Sequence, residues 1–217
     1  MIAVGLTAAV LALLAMTAAS FVEARARADT VTSSSRTAAQ AGDLYFALAD
    51  LDAEAARLVL LGDGDYQPGD GQYDGNQLSA LTSYNQRTAQ VDTDLRALAA
   101  DGTNAAAIVS EITEYRSTAD TAIGLDEFPG STAGAPLATA IGFYGRATTM
   151  MQNQVLPAAA HLRDQTAAEA THAANDAHAW AIAGLIGTLV LGVLTALALV
   201  VAHRRFSTLR TAVPSAS

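Results

Sequence analysis

The sequence predicts an all-α protein: a membrane-anchored, up-down four-helix bundle whose first and fourth helices are continuous with two transmembrane helices. Three observations carry this. Two uncharged apolar runs, IAVGLTAAVLALLAMTAASFV (2–22) and AWAIAGLIGTLVLGVLTALALVVA (179–202), lie towards opposite ends of the 217 residues. Between them, four segments repeat apolar or aromatic residues at alternating steps of three and four, the seam of helices packing at a shallow angle. No segment sustains a period of two, so no sheet is expected.

The elements follow in order. Residues 1–22 form the first transmembrane helix, since about 20 apolar residues at 1.5 Å each cross a hydrocarbon core. The alternative is a cleaved signal peptide, because Ala24-Arg25-Ala26 resembles a small-x-small cleavage site. The apolar run exceeds the ~7–15 residues of a signal-peptide core, which favours an anchor. Residues 23–178 form the extracytoplasmic bundle with a two-helix stalk. The first seam is Leu44, Leu48, Leu51, Ala55 and Leu58. The second helix, near 77–99, offers Leu78, Leu81, Tyr84, Thr88, Val91, Leu95 and Leu98. The break Asp101-Gly102-Thr103-Asn104 supplies a C′ glycine and then an N-cap. The third helix, near 104–125, offers Ala105, Ile108, Ile112, Tyr115, Ala119 and Ala122. After DEFPGSTAGA (126–135) the fourth offers Leu137, Ile141, Tyr144, Thr148, Met151 and Val155. The short middle helices would pack beside the upper parts of the long outer ones. The lower parts, 23–40 and 160–177, are rich in Ala, Thr and Gln and read as the stalk. Such helices bury little area at ~25 cal/mol per Å², so a homodimer is expected. Pro157 lies where the fourth helix enters the stalk and is expected to bend it there. Residues 179–202 form the second transmembrane helix, with Trp180 as an interfacial anchor, and 203–217 a short tail.

Charge sets the orientation. His203, Arg204, Arg205 and Arg210 follow the second span, so the positive-inside rule makes the C-terminus cytoplasmic. The expected location is the plasma membrane, with the bundle outside and the lipid bilayer as one partner. All 21 acidic residues lie between Glu23 and Asp176, in a chain of net charge −9. An acidic outer segment argues against nucleic acid as a partner.

The chemistry is sparse. With no cysteine, disulfides, thiolate catalysis and cysteine-ligated zinc are excluded. His161, His172, His178 and His203 form no i,i+4 histidine pair, so the helical zinc spacing is absent. GxSxG, Walker A and GxGxxG motifs are also absent. No enzyme activity, catalytic residue or cofactor is expected. The candidates for ligand binding are Arg57, Arg87, Arg116 and Arg146, one on each helix, with Tyr84, Tyr115 and Tyr144. An arginine fork beside an aromatic face grips a carboxylate. The same arginines serve equally as bundle edges paired with Asp50, Asp52, Glu54, Asp92 or Glu114.

The stretch LLGDGDYQPGDGQYDGN (60–76) carries Asp63, Asp65, Asp70 and Asp74 among glycines, as calcium loops do. The EF-hand spacing fails in both registers: Pro68 stands where glycine is needed, or Leu81 where the bidentate glutamate is needed. No metal site is assigned. With Asp126 and Glu127 these aspartates would form an acidic membrane-distal crown. In the second span, Ala183/Gly187 and Gly184/Thr188 are small-xxx-small pairs able to seat a helix.

Two spans enclosing an outer bundle resemble the sensor half of bacterial chemoreceptors. LYFALADLDAEAARLVLLG (44–62), LTSY (81–84) and MQNQVLPAAAHL (151–162) are similar in texture to actinobacterial GlnX-like membrane proteins. The resemblance implies an extracytoplasmic sensor or adaptor that binds a small solute or a solute-binding protein. About fifteen residues follow the second span, too few for a signalling domain, so a partner such as a kinase is expected to carry the signal. A structural or interaction protein of the cell envelope, with no ligand, is the alternative.

Overall fold

The computed structural model describes residues 2–61, 75–103, 105–126 and 136–210, and among them all regular structure is helical. The helices are α1 (Ile2–Leu61), α2 (Gly75–Ala100), α3 (Ala106–Asp126), α4 (Ala138–Met150) and α5 (Leu156–Arg210). A π-helical turn, Met151–Val155, joins the last two. Asp63, Asp65, Asp70, Asp74 and Glu127 lie outside the described residues, and Asp126 closes α3. The chain divides into two compact units. Thr32–Thr171 form one, and the flanking segments, up to Val31 and from His172, form the other.

In the central unit the periodic seams become the core. Leu44, Leu48, Leu51, Ala55 and Leu58 of α1 are buried. So are Tyr84, Val91 and Leu98 of α2, and Ile108, Ile112, Tyr115, Ala119 and Ala122 of α3. Leu81, Thr88, Leu95, Leu137, Tyr144 and Thr148 are half-buried, and two predicted positions are exposed. Leu78 is 54% and Ile141 51% exposed, while the preceding Gln77 and Ala140 turn inward. Rotation is set by the whole stripe, here Ala140, Ala147 and Met151, and not by the bulkiest side chain in the first turn. Side-chain pairs fix direction. Thr37 with Asp101 and Asp50 with Arg87 run α1 against α2. Tyr84 with Asp120 and Asp92 with Arg116 run α2 against α3.

α2 ends as its glycine requires. Thr103 N–H bonds to Leu98 O and Gly102 N–H to Ala99 O, the paired bonds of a Schellman motif. Gly102 has φ +82°, which a side chain would strain.

The π turn has a geometric cause. Ala147, Met151, Val155 and Ala159 are all fully buried at successive steps of four. In an α-helix each such step drifts about 40° around the axis. One wider turn, closed by Leu156 N–H to Met151 O, takes up that drift and keeps all four inward. Pro157, which lacks a donor, follows directly. The irregularity expected at Pro157 is thus a π turn just before it.

In the flanking unit, one helix segment within Ala138–Leu197 is long and apolar enough to cross a membrane, among the described residues. Its apolar window is unburied, with Leu185, Leu189, Val193 and Leu197 all exposed. A helix apolar on every side needs a non-aqueous environment or a partner. The side chains of 2–13 lie outside the description, and Met16, Phe21 and Val22 beyond them are exposed. Arg27 lies 4.4 Å over the Trp180 ring while pairing with Glu23 at 2.7 Å. Thr188 Oγ1 donates to Gly184 O at 2.7 Å, within its own small-residue pair.

Candidate functional site

Tyr115 is fully buried in the middle of α3, so its hydroxyl must find an acceptor. It donates to Asp52 Oδ1 of α1 at 3.1 Å. The other carboxylate oxygen, Oδ2, accepts from Thr148 Oγ1 of α4 at 2.7 Å. One half-buried carboxylate therefore ties three helices. Tyr84 of α2 makes a parallel link, donating to Asp120 Oδ1 of α3 at 2.8 Å.

The three candidate tyrosines lie near enough to Asp52 or to one another to shift their ionisation. Burial, then the Asp52 charge, pushes the Tyr115 phenol far above its usual range, and Tyr84 and Tyr144 add to this. Burial, then Asp120, raises Tyr84. Burial, then Asp52, raises Tyr144, against a lowering bond with Thr148. These phenols stay protonated donors through the physiological range.

Of the candidate arginines, Arg116 joins this group. Its charge partly offsets the rise of Tyr84. It donates from Nη1 to Asp92 Oδ1 at 2.7 Å and from Nη2 to Thr88 O at 3.2 Å. Its Nε and the neighbouring Thr88 Oγ1 are buried without a hydrogen-bond partner. Arg87 pairs with Asp50 at 3.0 Å and donates to Gln90 Oε1 at 2.8 Å. Arg57 lies 3.5 Å from Glu54, and Arg146 stands 5.6 Å over Phe143. Asp50, Glu54 and Asp92 are thus the acids that the arginines find. A carboxylate ligand gripped by Arg116 would have to displace Asp92.

Residues 26–175 match the family described as the actinobacterial sensor domain. The chain belongs to that family. The matched stretch contains the whole compact unit Thr32–Thr171, and with it every residue of the tyrosine–aspartate group. A bacterial sensor domain is what the resemblance implied. No curated protein and no solved structure matches the chain.

Within this sensor domain the sequence reading missed the part played by Asp52 and Thr148. Asp52 was one of five acids offered to the arginines, and Thr148 was a seam position without a partner. The available signal was polar: hydroxyls at seam positions of α3 and α4 need an acceptor, and Asp52 follows seam residue Leu51. Asp94, beside seam residue Leu95, is half-buried with Oδ2 unpartnered. Burial, then the nearby Asp43, raises its pKa above the usual carboxylate value. Among the described residues of the sensor domain no group of three metal-ligating side chains gathers.

Proposed function

We propose that the chain is a two-pass membrane sensor or adaptor. Its extracytoplasmic part is an up-down four-helix bundle that binds a small solute or a solute-binding protein. Occupancy is relayed through a partner protein in the manner of GlnX-like proteins, and the chain acts as a homodimer that covers its stalk helices. The observation that carries the reading is the sensor-family match, which coincides with the helical unit 32–171. The antiparallel pairing of α1 with α2 and of α2 with α3 supports the up-down order. The exposed apolar stretch of α5 supports a bilayer, and the arginines after it support a cytoplasmic end. The π turn lies in the chain between Thr148 and that stretch, where a shift of α4 would pass along the helix.

The native chain has no cysteine, so single cysteines report sidedness cleanly. In intact cells Ser79→Cys is expected to react with a membrane-impermeant maleimide, and Ser207→Cys only after permeabilisation. Labelling of Ser207→Cys from outside would overturn the topology. For binding, the purified full chain in nanodiscs is expected to saturate with a solute from a panel or to retain a solute-binding protein. Failure of both would favour a structural envelope protein.

A further inference from the structure

A cavity of about 600 Å³ lies in the central unit, between α1, the α2–α3 turn and the start of α5. Its origin is visible in the helix stripes. On α1 the inward stripe Leu48, Leu44, Ala41 continues as Thr37 and Ser34. From the π turn into α5 the stripe Val155, Ala159, Leu162 continues as Thr166 and Glu169. At the same level the Schellman turn presents Asp101, Gly102 and Thr103. The seam therefore changes from apolar to polar without changing its period. Facing polar stripes cannot close on one another dry, because each hydroxyl must keep a hydrogen-bond partner.

Part of the lining is already held in place. Thr37 Oγ1 donates to Asp101 Oδ2 at 3.1 Å. Thr166, 3% exposed, has its hydroxyl turned onto the carbonyls of Leu162 and Arg163. Gln165 Nε2 lies 3.4 Å from Glu169 Oε1. The lining includes five hydroxyl side chains, one amide and two carboxylates, and no basic side chain.

We propose that this cavity is the solute site of the sensor domain, and that its ligand is a small organic amine with further hydrogen-bonding groups. This rests on the sensor reading and names its solute. An anionic ligand would meet Asp101 and Glu169 unopposed. An apolar ligand would strip water from the hydroxyls and return no bonds. A bare divalent cation would want about six oxygens close around it, in far less space. The volume falls within the range of about 300–1,000 Å³ usual for small-molecule sites. An ammonium group set between the two carboxylates, with hydroxyls or a second amine facing Ser34, Thr103 and Gln165, answers both the charge and the polarity.

The test is titration calorimetry on the full chain in nanodiscs, with putrescine, ethanolamine and glucosamine as probes and glutamate, glucose and calcium chloride as comparisons. At least one amine is expected to saturate, and glutamate and glucose are not. Asp101→Asn and Glu169→Gln, both at exposed positions, are each expected to weaken the amine at least tenfold while circular dichroism and melting stay near wild type. Saturation by no amine, or by calcium alone, would overturn the proposal. Amine binding equal to wild type in both variants would overturn this site while leaving the sensor reading intact. Reversed cysteine labelling would sink the topology without touching the binding result.

Discussion

Replacing Asp52 by alanine removes the one acceptor shared by Tyr115 and Thr148. Hydrogen bonds to a charged group contribute roughly 1.5–3 kcal/mol each, and a buried donor left unpaired costs its desolvation. Asp52 and Thr148 are only half-buried, so water recovers part of the loss, but Tyr115 is fully buried and nothing reaches its hydroxyl. The expected destabilisation is about 2–4 kcal/mol. For a domain of this size that lowers the melting temperature by roughly 6–12 °C. Tyr115→Phe is the control. It removes the donor and leaves Asp52 to water, an expected loss of about 1 kcal/mol or roughly 3 °C. The double variant should then melt close to Asp52→Ala, or slightly above it, because no phenol is left unpaired. The assay is thermal unfolding of the full chain in detergent at neutral pH, followed by far-ultraviolet circular dichroism. Melting of Asp52→Ala within about 2 °C of wild type, or no lower than Tyr115→Phe, would refute the argument from buried unsatisfied donors.

Tyr84 and Tyr115 titrate above their usual value in the folded chain, so their contribution is complete below the unfolded value of about 10 and is lost as pH rises beyond it. The melting temperature is expected to fall above about pH 10, and a phenolate absorbance titration should show these tyrosines ionising only with unfolding. Asp94 is also raised, so its ionised form carries a penalty that is present above its folded pKa and relieved as pH falls through it. Asp94→Asn should therefore melt higher than wild type at pH 7, with the gap closing in acid. Deleting exposed Asn153 converts the step from Met151 to Val155 from four to three and should be absorbed by conversion of the π turn to α-helix. Deleting exposed Ser117 from regular α3 rotates the seam below it away from the core. The first variant should melt within a few degrees of wild type and the second should not fold, and equal outcomes would falsify the stated role of the π turn. Arg116→Met, which loses Asp92 and the Thr88 carbonyl from a pair with one partner 43% exposed, should cost about 1–2 kcal/mol, read as a fall in melting temperature.

Much of this was legible in linear order. Steps of three and four put Leu44, Leu48, Leu51, Ile108, Ile112 and Tyr115 on inward faces, because helix geometry alone makes such residues neighbours. Gly102 was legible as a C′ residue because a left-handed backbone there leaves few other choices. Leu78 and Ile141 misled because size was read as inwardness, whereas Gln77 and Ala140 share the stripe that the rest of the helix buries.

Taken by itself, the sequence determined the helical class, the seams of α1 and α3, the break at 101–103 and the apolar stretch of α5, all of which follow from spacing within one helix. Only the tertiary structure decided which polar groups meet. Asp52, Tyr115 and Thr148 stand on three helices and are joined by bonds spanning 63 and 96 residues of chain. The π turn was likewise decided in three dimensions, since four core residues at steps of four face one partner surface only if the helix widens. The polar cavity depends on the polar stripes of two helices and one turn meeting at one level. Periodicity constrains each helix alone, and neither partner nor level is written in it.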